Sequence, residues 1–243
     1  SGAVVRQVLL SAGAEESQIM AKLQPIATDM HALGNPWISY SVYLNNSFLP
    51  GLLQLMILLV TVFSIGSEMK RATSREWLRT ADDSIIIAIT GKLIPQTIIF
   101  FSMGLLYLSL LYGYLHFPMH NSIWHMIFAM FLLVVASQSF AVIIMCFAPS
   151  LRIGLSVGGL VGVLSLSIAG FSFPVPAMYL PFQAISYVLP VRHYFLIYVD
   201  QALNGIPLYY SRVHYVALIL FAVASTPLLP RLKKALMRQV YVP

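Results

Sequence analysis

Charge is scarce in this sequence. Asp, Glu, Lys and Arg together make up 9% of its 243 residues, whereas hydrophobic residues make up 59%. A soluble domain carries roughly 25% charged and about 45–50% apolar residues. The polar surface needed to face water is therefore missing, and the bilayer must be the solvent for much of the chain. Cysteine is almost absent too. The single copy, Cys146, lies in an apolar run, which excludes an intrachain disulfide and any CxxC or Cys/His metal pattern. There is no Gly-x-x-x-x-Gly-Lys-Ser/Thr, so nothing here cradles nucleotide phosphates in that way. Gly-x-Ser-x-Gly and His-Glu-x-x-His are missing as well. Acidic residues do not occur within the apolar runs, which argues against proton-coupled transport. The net charge of +6 does not point to nucleic acid, because the basic residues cluster at the ends of apolar runs, as topology signals do.

What is present is a series of long apolar runs. A helix needs about 20 apolar residues to cross a bilayer. The pattern predicts an all-α polytopic membrane protein with five spans, at 48–65, 93–115, 123–147, 153–171 and 213–229. The run from Ile85 to Leu115 is too long for one perpendicular span. Lys92 and Pro95 are expected to divide it, with the first two turns at the interface and Lys92 snorkelling. Ala148 to Arg152 reads as a very short hairpin. Gly154, Gly158 and Gly162 form one helical stripe, read as close packing within a subunit rather than as a dimer seam.

From 172 to 204 the chain stays apolar but carries Pro174, Pro176, Pro181 and Pro190. Prolines break helices, and bare backbone cannot face lipid. A re-entrant segment packed against protein is expected, followed by an amphipathic helix over 191–203 at the interface. Arg192, His193 and Asp200 on that helix are read as solvated or paired. Residues 1–47 read as the end of an extracytoplasmic domain with short helices at 4–10 and 15–23 and a turn at Asn35-Pro36. Residues 230–243 read as a basic tail.

The apolar pattern is broken once, from Gly66 to Thr80. Six of these fifteen residues are charged. A short charged segment at a membrane surface is what docks a soluble partner. Counting Lys and Arg, ten (Lys70, Arg71, Arg75, Arg79, Lys92, Arg152, Arg231, Lys233, Lys234 and Arg238) fall on the side of this segment, and four on the other. The positive-inside rule places the ten in the cytoplasm. A further span before Ser1 is expected, since the N-terminus of this chain is then outside and its C-terminus inside.

Several features in order resemble a known family. They are Asn35-Pro36, then Pro50-Gly51 at the first span's entrance, then the charged segment with Glu68, Lys70, Arg71, Thr73, Glu76 and Leu78. Phe173-Pro174-Val175-Pro176, Pro181-Phe182-Gln183, Leu189-Pro190 and Asn204-Gly205 follow. Together they resemble the permease subunit of type-2 ABC exporters. The resemblance implies six spans in the intact protein, and a dimer of permeases, with a second copy or a paralogue, on two ABC ATP-binding subunits in an inner membrane. It implies no cofactor on this chain, ATP and Mg on the partner, and no nucleic-acid partner. Residues 68–79 then look like a coupling helix docking on the ATPase. Glu68, Lys70, Arg71, Thr73, Arg75 and Glu76 would supply polar contacts, and Trp77 and Leu78 apolar anchors. Where the family usually has Gly, this chain has Ala72. Ala is the better helix former, so an unbroken helix is expected.

The implied activity is export of an amphipathic or lipidic substrate, without catalysis by this chain and with no catalytic residue. The alternative is a membrane-embedded lipid-modifying enzyme or assembly factor. Phe171, Phe173, Met178 and Tyr179 are read as an outer gate. The histidines (His31, His116, His120, His125, His193 and His214) are read as interfacial residues, since their spacing fits no metal site.

Overall fold

The computed structural model describes residues 40–238. The short helices expected at 4–10 and 15–23, the Asn35-Pro36 turn, His31 and the last five residues lie outside them. Five helical stretches are long and apolar enough to cross a membrane: Leu44–Lys70, Ile85–Tyr114, Ile123–Phe147, Leu151–Ile168 and Leu208–Arg238. The chain is an all-α polytopic membrane protein.

Helix α1 (Tyr40–Lys70) is longer at both ends than the expected span, and Pro50 lies inside it. The first span was expected to begin at residue 48, after Asn45-Asn46-Ser47. Instead Asn46 and Ser47 are buried within the helix. Asn46 Nδ2 donates to Val42 O at 3.0 Å, and its Oδ1 accepts from Tyr112 Oη at 2.9 Å. A buried amide with both ends satisfied does not break a helix. Proline at 50 costs one backbone bond but leaves the helix continuous.

A six-residue helix, α2 (Ser74–Arg79), follows. Helix α3 (Ile85–Leu108) starts at Ser84, whose Oγ caps Ile87 N, and continues through a π-type turn over Ser109–Tyr114. Here the structure corrects the expected division of 85–115, because neither Lys92 nor Pro95 interrupts α3. Pro95 sits on an exposed face. Two residues before it, Leu93 O accepts from Thr97 Oγ1 at 2.9 Å and from the buried Gln138 Nε2 at 3.3 Å.

Helix α4 (Ile123–Phe147) is the most buried of the long helices, apolar almost all round, and packs against α1, α3, the re-entrant segment and the last span. The hairpin at 148–150 leads to α5 (Leu151–Ile168), which lies along α1. The glycine stripe does face inward within the subunit. A Cβ on Gly154 would stand 2.9 Å from Val62 Cγ1, and one on Gly162 2.3 Å from Leu55 Cδ1. Gly51 on α1 answers it, with Leu166 Cδ2 2.5 Å from the position of its missing Cβ. Small residues thus let two long backbones approach without a water-driven hydrophobic force.

After α5 come a bend, a short turn at Val175–Ala177, α6 (Leu180–Tyr187) and α7 (Pro190–Tyr198), with a π-type turn over Val199–Leu203. Helix α8 (Leu208–Val223) returns across the bundle, and α9 (Leu229–Arg238) closes the described chain. The last span therefore begins five residues earlier than expected and ends at a Ser225-to-Pro230 corner. There Ser225 N donates to Ser139 Oγ at 3.1 Å.

The short connections make neighbouring helices antiparallel. One end of the bundle carries α2 and α9, and is called here the charged end. The far end carries the α6–α7 hairpin. The core differs between them. At the charged end it is mostly aliphatic (Leu58, Val62, Ile65, Leu78, Ile85, Met145, Leu232), and at the far end it is rich in aromatics (Phe171, Tyr194, Phe195, Tyr198, Tyr215).

Candidate functional site

The charged segment is not one helix. Residue 72 has φ 59°, the left-handed region that favours glycine. Thr73 N donates to Glu68 O at 3.0 Å and Ala72 N to Met69 O at 3.3 Å, the paired bonds of a left-handed helix end. So Glu68 and Lys70 close α1, and α2 begins afresh at Ser74. This corrects the helix expected over 68–79. The high helix propensity of alanine was the wrong quantity to use, because at a left-handed terminus a Cβ is a cost of about 1–2 kcal/mol. The other end of α2 is also left-handed, with Asp82 at φ 50° and Asp83 at φ 57°. Aspartate tolerates that region better than most residues.

These two reversals lay α2 across the charged end. Its underside, Ser74 and Leu78, is buried, Leu78 completely, in a cluster with Met69, Ala81, Ile85, Leu232 and Leu236. Leu78 therefore anchors α2 to its own bundle and is not free to enter a partner, which corrects its assigned role. Trp77 is half-buried, with Lys92 Nζ 4.4 Å from its ring centre. Arg71, Arg75, Glu76 and Arg79 are exposed, as is Lys70.

Glu68 ties the segment together. Its Oε1 meets Lys92 Nζ at 2.6 Å, its Oε2 accepts from Thr73 Oγ1, and its carbonyl receives Thr73 N. Four residues from three helices and the link between them (Glu68 on α1, Thr73 before α2, Trp77 on α2, Lys92 on α3) thus form one connected group. Lys92, expected to snorkel, is pinned by Glu68. The side chains of the pair are 20% and 24% exposed, and a charge-assisted bond of this kind contributes about 1.5–3 kcal/mol.

Helix α9 braces the arrangement. Arg75 Nη2 donates to Met237 O at 3.3 Å, and Lys233 Nζ to Asp83 O at 2.5 Å. Leu229, Leu232 and Leu236 are buried beneath it, while Arg231, Lys234 and Arg238 face outward. The tail read at 230–243 is therefore, up to Arg238, a packed helix. Its apolar spacing of three and four residues was a readable helix signal. Lys92 was also findable, as a lone charge in a long apolar run.

The model of the ABC-2 family transporter protein matches residues 2–229. The chain belongs to that family. No curated protein and no solved structure matches it. As an ABC-2 family member the chain is the membrane-embedded transport component, an ABC permease, which works with an ATP-binding subunit.

At the far end of this ABC-2 permease, the residues read as a gate are not gathered together. Phe171 turns into the core, edge-to-face with Phe195 at 5.7 Å, while Phe173 and Tyr179 point outward, 52% and 82% exposed. Met178 is half-buried, and its carbonyl accepts from Gln183 Nε2 at 2.8 Å. The helix after the proline run is packed within the bundle. Every residue of α7 except Leu196 is buried. Its first turn is capped by Gln54 of α1, whose Oε1 accepts from Val191 N at 2.8 Å while Nε2 donates to Ser165 Oγ at 3.0 Å. Gln54 is ten residues from Leu44 and sixteen from Lys70, about 15 Å and about 24 Å along α1. The α6–α7 hairpin therefore reaches deep into the bundle.

A network that no sequence motif announced holds the other end of that hairpin. Asn121 Nδ2 donates to Gln201 Oε1 and to Ile206 O, Gln201 Nε2 to Ser211 Oγ, and Ser211 Oγ to Asp200 Oδ2, all within 3.0 Å. Among the described residues no group of three His, Cys, Asp or Glu is arranged to hold a metal ion.

Proposed function

We propose that this chain is the permease subunit of an ATP-driven exporter in an inner membrane, moving an amphipathic or lipidic substrate outward. The charged end lies in the cytoplasm, following the ten-to-four distribution of Lys and Arg. Two permeases, identical or paralogous, pair over two ATP-binding subunits, which bind ATP and Mg; this chain needs no cofactor of its own. The single observation that supports the reading best is the Glu68–Thr73–Trp77–Lys92 group, because it fastens α2 to both α1 and α3. A push on α2 then moves two membrane helices together, as a rigid-body mechanism requires. Arg71, Arg75, Glu76 and Arg79 form the surface offered to the ATPase, with the exposed edge of Trp77. Lys70 lies beside them. Of the four gate residues, Phe173, Met178 and Tyr179 remain available to an outer gate and Phe171 does not.

A cysteine cross-linking experiment tests docking. With Cys146, buried and the only native cysteine, changed to Ala, a Glu76→Cys variant should cross-link to the ATP-binding subunit. A Leu208→Cys variant at the far end should not. Equal cross-linking at both positions, or none at Glu76→Cys, would remove the docking surface from α2.

A further inference from the structure

Arg192 is 8% exposed and has no carboxylate partner among the described residues. Its Nη1 donates to Ala169 O and to Ser186 Oγ, both at 3.2 Å, and Nε has no acceptor among them. The guanidinium carbon lies 4.6 Å from the centre of the Tyr187 ring. Every neighbour on that short inventory is neutral. Ala169 is the residue that ends α5, so the helix terminus adds roughly half a negative elementary charge. Half a charge and a ring face do not balance a full cation at this depth. An arginine cannot escape by losing its proton, and an unpaired charge is the costliest thing to bury. The acid on the same hairpin, Asp200, is engaged by Ser211 Oγ and makes no ion pair with Arg192.

Gly170, at φ 104°, lets the guanidinium pack directly against the backbone, since a Cβ there would stand 2.9 Å from Nη1. Tyr187, which covers one face, is itself 57% exposed. Ionisable groups this deep in a membrane protein mark ligand or substrate paths more often than packing. His193, next on α7, is also buried, and its ring is already engaged, with Nδ1 3.4 Å from His214 Nδ1 on α8 and Nε2 3.1 Å from Tyr187 O, so it does not balance the cation either.

We propose that Arg192 is a binding site for a net-negative oxyanion, the charged headgroup of an amphipathic molecule, received at the tip of the α6–α7 hairpin beside Tyr187 and Gly170. An arginine fork suits a phosphate or carboxylate, which accepts two parallel N–H bonds. The site goes beyond the exporter reading, and it is tested without transport or an ATPase.

The full chain, delipidated in neutral detergent, is titrated with short-chain phosphatidylglycerol, short-chain phosphatidylcholine and inorganic phosphate while Tm and bound lipid are followed. For the wild type, phosphatidylglycerol should raise Tm and bind at least about tenfold more tightly than phosphatidylcholine, the scale of one lost charge-assisted contact. Arg192→Gln should lose that preference, and Arg192→Lys should keep part of it. A matching effect of inorganic phosphate would identify a free-anion site, and its absence a lipid-headgroup site. No anionic preference in the wild type overturns the proposal, whatever the variants do. So does a preference that Arg192→Gln retains in full.

Discussion

Lys92 and Arg192 are both cations set against an aromatic ring inside an apolar bundle, at 4.4 Å from the Trp77 ring centre and 4.6 Å from that of Tyr187. Lys92 is met by Glu68, which is itself held by Thr73, so its charge is neutralised within the chain. Arg192 is met by a carbonyl, a hydroxyl and a ring. The difference separates two uses of a buried charge. A paired cation makes a rigid joint between elements, whereas one left without a counter-charge keeps its attraction for something that is not part of the chain. The first suits the place where mechanical work enters the membrane domain, and the second a place where cargo or lipid is held.

Substitutions at the two ends can break or sharpen this contrast. The largest effect belongs to Lys92→Met, which strands Glu68; it should destabilise the chain by about 3 kcal/mol in detergent unfolding, and Glu68→Gln in the same chain should recover most of the loss. Removing one partner of a connected pair costs more than removing both, so a double variant no better than the single would deny that the two act as a joint. Next, Gln54→Leu leaves the α7 N-terminus uncapped and should cost about 2 kcal/mol, with faster hydrogen exchange confined to the hairpin. Smaller and of opposite sign, Ala72→Gly relieves the left-handed residue and should stabilise the chain by about 1 kcal/mol. No loss is expected for Arg192→Gln without added lipid, which should be at least as stable as wild type, because no ion pair is lost and an unbalanced buried charge is removed. A loss there as large as for Lys92→Met would show that the two cations do the same job.

The number of membrane helices was readable because an apolar run of about 20 residues has few other fates. The glycine stripe was readable as well, since a four-residue step of missing side chains specifies close helix packing. The bounds of α1 were not, because Asn46 is satisfied by Tyr112, some 66 residues away in sequence. The shape of the charged segment was missed for a local reason. Propensity weighs alanine in a helix interior, while Ala72 sits where φ is positive. Leu78 illustrates a further limit: an apolar residue in a charged stretch is a contact, but sequence does not say whether the contact is with a partner or with the chain's own core. The depth of Arg192 depended on the Gln54–Val191 bond, which joins residues 137 positions apart.

We have proposed that α2, held by Glu68 and Lys92, is where the ATP-binding subunit docks. Affinity between the purified permease and the ATP-binding subunit that accompanies the wild type tests it most directly. Arg75→Ala with Arg79→Ala should weaken that affinity at least about tenfold, equivalent to about 1.4 kcal/mol, while Arg212→Ala at the far end leaves it unchanged. Undiminished affinity in the α2 variant, or an equal loss in Arg212→Ala, would contradict the account.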